Sequence, residues 1–432
     1  MNAPTPTKRV TVLPNGVTIA TDPMPNASSV YVGLWLPTGS ALENAESSGL
    51  SHFYEHLVFK GTKNRSAFQI AAEIEDLGGN MNAYTSREVT CFYIHIAKEH
   101  LQTAIAVLAD LTMEPKLSAS DFAKEKSVIL EEIRATEDNP EELSDDFFHK
   151  AHFKGSGLEF PIAGTARSIK KLDVLQIRKR QKFILEELPI LVSVAGAVEH
   201  GELLKICKKV FAKKTGAGAS PSIIYSANSG TAILQRHVQQ ATVLWGASCE
   251  GLMAKEARAL QIFNHIFGDG FSSRLFQNIR EKYGLVYSIN SSFGNFIQKT
   301  VAQKNFVLFQ IAFATEPQNL ERVADLIRRE MKIFLKNGFL KNELENAKQG
   351  IIGSYRLSRD SLSSRQNRLA RQVLRYGHPI DANKTEEQLG KMEADYIEAF
   401  VKSFAENSKW TFAAVVPKKC GVREKLLYYT PT

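Results

Sequence analysis

Little in this chain points to a secreted or membrane-bound protein. Cysteine is scarce: four in 432 residues (Cys91, Cys207, Cys249 and Cys420), far apart and with no C-x-x-C pair. That excludes a disulfide framework and a cysteine-built zinc finger, and it fits a reducing compartment. No apolar run reaches the roughly 18 to 20 residues that a membrane span needs. The most apolar stretch, LPILVSVAGAV (188–198), is rich in β-branched residues and reads as a buried strand. The opening segment, MNAPTPTKRVTVLPNGVTIATD, has no apolar core of the kind a secretion signal carries. A short disordered start is expected there, then a strand–turn–strand around Pro14-Asn15-Gly16. The expected location is the cytoplasm, with an organellar matrix as the alternative. Phosphate-binding loops are missing too: TGAGAS (215–220) is followed by no P-loop lysine. The net charge of +8 invites a nucleic-acid reading, but the Lys and Arg lie among many acids and no recognition element accompanies them. Neither a nucleic-acid partner nor membrane insertion is expected.

What is present is a globular composition, 44% hydrophobic and 23% charged, in a chain too long for one ordinary core. The clearest break is KKTGAGASPSIIYSANSGT (213–231), small and polar. It divides the chain into a first domain (1–215), a linker (216–230) and a second domain (231–432). The two halves read alike. VYVGLWL (30–36) leads into a helix carrying GLSHFYEHLVFKGT, and ATVLWGAS (241–248) leads into ARALQIFNHIFGDG (257–270). Superposing them sets Gln261 on His52, Asn264 on Glu55 and His265 on His56. Downstream, DFAKEKSVILEEIR (121–134) matches ELENAKQGIIGSYR (343–356), setting Ala347 on Glu125 and Ser354 on Glu132. The expected fold is α+β: two homologous domains, each a mainly antiparallel sheet packed with helices, only the first keeping ionisable ligands.

His52, Glu55 and His56 occupy positions i, i+3 and i+4 of a helix and therefore share one face. Two imidazoles one turn apart supply two metal ligands from one rigid element, and zinc holds imidazole well. A glutamate on the same face can take the proton of a metal-bound water and hand it to a leaving amine. The order H-x-x-E-H inverts the familiar H-E-x-x-H of metallopeptidases. A half-buried helix with satisfied histidines is the bland alternative. A hydrolytic site needs a third ligand, and the helix at 121–134 offers one. Glu125 and Glu132 are seven residues apart, hence on one face, whereas Glu131 is rotated by about 100° from Glu132. With Val128 and Ile129 flanking it, that face is expected to be half-buried, where a cation would offset the cost of the carboxylates.

With these residues in view, the chain resembles the pitrilysin/insulinase metallopeptidases, in particular their small two-domain members related to the β subunit of the mitochondrial processing peptidase. The resemblance covers nearly the whole chain. It rests on GLSHFYEHLVFKGT, GGNMNAYTSREVTCFY, EKSVILEEI, FGDGFSSRLFQNIREKYGLVYS, PIAGT (161–165) and LPNGVTI. It implies a zinc endopeptidase for peptides or unfolded segments, working in an enclosed chamber with a Glu-activated zinc-bound water. By resemblance the zinc ligands are His52, His56 and Glu132, the last 76 positions after His56. Glu55 is the base, and Glu125, seven positions before the third ligand, supports the centre. Arg280 and Tyr287 hold the substrate backbone, and Asn82 and Ala83 lie on a cleft-lining edge strand able to pair with an extended peptide. A homodimer then suffices, with a heterodimer containing a zinc-less homologue as the alternative. Tyr54 and HFKGSGLEF (152–160) depart from the usual pattern without touching a ligand. The rival reading is a non-catalytic scaffold subunit of a processing-peptidase-like complex. A basic segment, RLSRDSLSSRQNRLARQVLRYG (356–377), reads as a solvated face or as a cleft wall selecting acidic peptides.

Overall fold

The computed structural model describes residues 7–216, 218–302 and 304–418; Cys420 and the first residues of the expected disordered start lie outside them. The first half of the chain runs β1 (Arg9–Val12), β2 (Val17–Pro23), β3 (Ser29–Leu36), α1 (Leu50–Val58), α2 (Ala67–Glu75), β4 (Asn80–Thr85), β5 (Thr90–Ala97) and α3 (Leu101–Met113). It continues through α4 (Ala119–Asp138), α5 (Pro140–His152), α6 (Ala166–Lys171), α7 (Val174–Glu186), β6 (Ile190–Gly196) and α8 (His200–Val210). The second half runs β7 (Gly230–Arg236), β8 (Ala241–Glu250), α9 (Ala254–Phe267), β9 (Val286–Asn295), β10 (Phe306–Thr315) and α10 (Leu320–Asn337). It ends with α11 (Glu343–Leu357), α12 (Leu362–Tyr376), α13 (Ala382–Gly390), α14 (Ala394–Asn407) and β11 (Lys409–Pro417).

These elements form two compact units: Met1–Ile133 with Phe160–Ile223 and Arg356–Ile380, and Arg134–Glu159 with Ile224–Tyr355 and Asp381–Thr432. The first holds a sheet in the order β1-β2-β6-β3-β5-β4 and the second one in the order β7-β11-β8-β10-β9. In each, one pair is parallel (β2 with β6, β7 with β11) and the remaining pairs are antiparallel. Apart from the extra β1, the two orders correspond strand for strand, as a duplicated α+β domain requires.

The units do not follow a linear cut at the linker, although no helix or strand lies between α8 and β7 among the described residues. The helix α5, from the first half, packs on β8 and β11 of the second sheet, and α12, from the second half, packs on β6, β3 and β2 of the first. The buried residues of α12 are Gln366, Leu369, Ala370 and Val373, spaced i, i+3, i+4, i+7, the stripe of an amphipathic helix. The basic segment is therefore the end of α11, a break and α12, which covers the sheet with its apolar stripe while Arg365 pairs with the buried Asp22 of β2. Covering on both sides explains why every residue of β6 is buried. A glycine admits each exchanged helix: a Cβ on Gly33 of β3 would meet the Gln366 side chain at 2.1 Å, and one on Gly246 of β8 would meet Phe148 of α5 at 3.1 Å. No described helix is long and apolar enough to cross a membrane.

Candidate metal centre

The helix α1 buries Leu50, Ser51, Phe53, Tyr54, Leu57 and Val58, which leaves His52, Glu55 and His56 on its half-buried side. The ring of Phe53 stacks on Phe122 of α4 with centroids 4.5 Å apart. Along α4, Phe122, Glu125, Ile129 and Ile133 are the buried residues, so the stripe facing the core brings Glu125 and then Glu132 beside α1.

Three ligand atoms converge, all within 4.8 Å of one another: one each from His52, His56 and Glu132. The Nε2 atoms of His52 and His56 lie 3.8 and 3.5 Å from Glu132 Oε2. Behind His56, Nδ1 is 3.2 Å from Glu125 Oε2, and Lys60 Nζ is 2.8 Å from the other Glu125 oxygen. A carboxylate accepting from Nδ1–H selects the tautomer whose Nε2 lone pair faces the cluster. Burial, with His56 adding to it, pulls His52 down to about 4, so its imidazole is neutral at neutral pH; its buried Nδ1 has no hydrogen-bond partner. The two Nε2 atoms and the Glu132 carboxylate converge on one volume that a cation would satisfy, and Lys60 is engaged with Glu125 instead. The N,N,O donor set is one that catalytic zinc takes from proteins.

Glu55 accepts a hydrogen bond from Thr85 Oγ1 at 2.5 Å. Burial pushes its carboxyl up, Thr85 and His56 oppose that, and Glu132 adds to it. Glu131 is exposed. One detail differs from expectation: Val128 is 43% exposed; the face itself is half-buried, with Glu125 inside and the Glu132 side chain 44% exposed. The rise of Glu132 out of the core follows from its place one turn beyond Ile129, where the helix faces the cluster.

Asn82 and Ala83 lie in β4, an edge strand that pairs only with β5. Asn82 is exposed, and Ala83 N–H donates to its Oδ1 at 2.8 Å. Arg280 and Tyr287 belong to the second unit. There the guanidinium of Arg280 stands 5.4 Å from the centroid of the Tyr287 ring, which is 80% exposed at the start of β9. In the second unit α9 carries the counterparts of the centre. Asn264 is buried, His265 is 3.4 Å from Asp269, and the backbone of Gly350 in α11 lies close against the His265 ring. No cluster of metal-ligating side chains other than His52, His56 and Glu132 occurs among the described residues. Sequence reasoning missed Thr85 and Lys60, whose roles arise only when β4 and the end of α1 meet the site.

Fold and donor set together define a two-unit metallopeptidase architecture. Residues 18–166 match the model of insulinase, peptidase family M16, and residues 187–351 match that of the M16 inactive domain. The chain belongs to the M16 peptidase family. It is 30% identical over 410 residues to a protein of Rickettsia bellii named an uncharacterized zinc protease, covering 94% of this chain and 97% of that one. It is 31% identical over 366 residues to the uncharacterized zinc protease YmxG of Bacillus subtilis, covering 84% and 87%. Among solved structures, a protease from Helicobacter pylori superposes with a TM-score of 0.85 at 21% identity, covering 95% of this chain and 100% of that one. An M16 inactive-domain protein from Pseudomonas fluorescens superposes with a TM-score of 0.84 at 17% identity, covering 96% and 100%. These two likenesses bear on the fold.

Proposed function

We propose that the chain is a zinc-dependent endopeptidase of peptides and unfolded polypeptide segments, with His52, His56 and Glu132 as metal ligands and Glu55 as general base. The observation that carries the reading is the convergence of both Nε2 atoms on Glu132, with the Glu55 carboxylate on the same helix face. Zinc, when bound, supplies a Lewis acid that polarises a carbonyl and lowers the pKa of a water. Glu55 takes the proton of the attacking water on Oε1 while Thr85 holds Oε2, and then gives it to the leaving amine. Glu125 keeps His56 in its tautomer and orientation. An extended substrate adds to the free edge of β4 through backbone hydrogen bonds at Asn82 and Ala83, which favours unfolded chains. Arg280 and Tyr287 donate to the substrate carbonyl or its developing oxyanion; their adjacency and the exposure of the phenol support this role. A homodimer working in the cytoplasm completes the proposal, and the full ligand set speaks against a scaffold subunit.

Purified protein is expected to hold one zinc per chain and to cleave a quenched peptide until a chelator is added. Glu55→Gln should lower kcat by about 10²–10⁴ while retaining the metal. Full cleavage by a zinc-loaded Glu55→Gln variant would sink the mechanism.

A further inference from the structure

A buried ion pair stands behind the first turn of α1, away from the ligands. The Glu43 side chain has no solvent exposure, and Arg180 of α7, itself buried, lies 3.8 Å from it. The two Glu43 oxygens accept the backbone N–H groups of Gly49 at 2.7 Å and Ser51 at 2.6 Å. These amides belong to the helix start, which leaves such donors without intrahelical partners, and Ser51 immediately precedes His52. Gly49, at φ 91°, has no side chain to cap with, so a distant carboxylate does it, at the end where the helix dipole favours an anion. Arg180 also donates to Thr38 Oγ1 at 2.9 Å. Its neighbour Gln181 accepts from the Tyr54 hydroxyl and donates to the carbonyl of Thr112 at 2.7 Å. Two adjacent residues of α7 thus hold the buried side of α1, Arg180 through Glu43 at its start and Gln181 directly one turn on, while the opposite side carries His52, Glu55 and His56. A buried ion pair adds little stability over an apolar pair of the same volume. What it supplies here is a fixed origin for the helix.

We propose that Glu43 and Arg180 are positioning residues of the metal centre, holding the first turn of α1 so that the His52 and His56 imidazoles meet Glu132. This rests on the zinc-peptidase reading. In Glu43→Gln the size is kept, but the carboxamide turns an NH2 toward a backbone N–H or toward the guanidinium. Zinc affinity, measured by competition with a chelating dye, is expected to fall by about tenfold or more, as for other partners behind metal ligands. The absorption bands of the cobalt-substituted protein should shift, and Glu43→Asp, which keeps the charge, should recover part of both. Affinity within twofold of the parent with an unchanged cobalt spectrum overturns the proposal, even if the melting temperature falls. Should Glu43→Gln fail to fold, the parent chain decides by hydrogen exchange, because coupling between sites is reciprocal. Zinc must then slow exchange at Gly49 and Ser51 more than at the start of α2, and equal protection overturns the proposal. A parent chain that binds no zinc refutes the metal-centre reading and this inference with it. Stoichiometric zinc with unchanged affinity in the variant refutes the inference alone.

Discussion

His152, the last residue of α5, ties an exchanged helix to the second sheet, and its protonation can be read as stability. The side chain is fully buried. Its Nδ1 lies 2.9 Å from Thr411 Oγ1, and its Nε2 lies 2.7 Å from Ser248 Oγ, which in turn lies 2.8 Å from the Tyr225 hydroxyl. Thr411 Oγ1 donates to the carbonyl of Asn228 at 2.8 Å. One assignment satisfies every donor: Nδ1–H gives to Thr411, and Ser248 gives to a neutral Nε2. Burial first, opposed by the backbone carbonyl of Asn228 as acceptor and reinforced by Lys409, pulls the imidazole down to about 4, against an ordinary value of about 6.5. Between those values the unfolded chain binds the proton and the folded chain does not, so stability rises with pH and is lost as pH falls from 6.5 toward 4. At ~1.4 kcal/mol per pH unit, the loss by pH 5 is about 2 kcal/mol. The assay is urea unfolding at pH 7 and pH 5 in a Trp35→Phe background, followed by fluorescence from Trp245 and Trp410, both in the second unit, because Trp35 lies in the first. His52 and His200, also pulled down mainly by burial, belong to the first unit. His152→Gln keeps a hydrogen-bonding end and removes the titration. Its transition is expected to sit lower at pH 7 and to fall less between the two pH values than that of the parent. Equal pH dependence in both proteins would refute the buried neutral imidazole.

The remaining predictions concern the centre. Glu132→Gln should lose zinc by more than the roughly 10–100-fold typical of residues behind the ligands, whereas Glu131→Gln, one position away and exposed, should bind as the parent does; dye competition separates them. Glu125→Gln should weaken zinc about 10–100-fold, with kcat recovering once zinc is saturating, since the carboxylate orients His56 rather than touching substrate. Gly49→Ala places a Cβ 2.6 Å from the Ala163 carbonyl oxygen at φ 91°. A cost of about 2 kcal/mol or more follows, read as a lower melting temperature.

The two halves were legible because their patterns are local. The apolar runs of β3 and β8, and the i, i+3, i+4 spacing on α1, are properties of short windows and need no knowledge of what packs against them. The same held for Glu125 and Glu132, whose seven-residue spacing fixes a shared face whatever that face meets. What could not be read is what depends on partners distant in sequence. A linear cut at the linker assigns α5 and α12 by chain order, but an amphipathic stripe states only that it must be buried, not against which sheet. Glycine at 33 and at 246 was a signal in plain sight, because a strand residue without a side chain marks a close approach; it does not say which helix approaches. Val128 was expected to flank a buried face and is exposed, because apolar character alone does not orient a residue one position from Ile129.

The candidate centre divides along the same line. His52, Glu55 and His56, which share a helix, can be found from spacing, whereas the groups that contact them or their helix come from elsewhere: Thr85 from an edge strand, Glu125 from α4, Glu43 from the loop before α1. In the second unit the comparison is internal to the chain. There α9 keeps His265 and the fold around it, yet Gln261 and Asn264 stand where an imidazole and a carboxylate stand in α1, and Ala347 and Ser354 replace both glutamates of α4. An imidazole on that helix is therefore not enough to specify a metal centre. His52, Glu55, Glu132 and Glu125 are present together in the first unit, and at the matching positions of the second all four are absent together. Glu125, the buried acid of the set, already has Lys60 and His56 as partners, so the need for a cation falls on the His52, His56 and Glu132 atoms that converge on one volume, as the zinc-peptidase proposal requires.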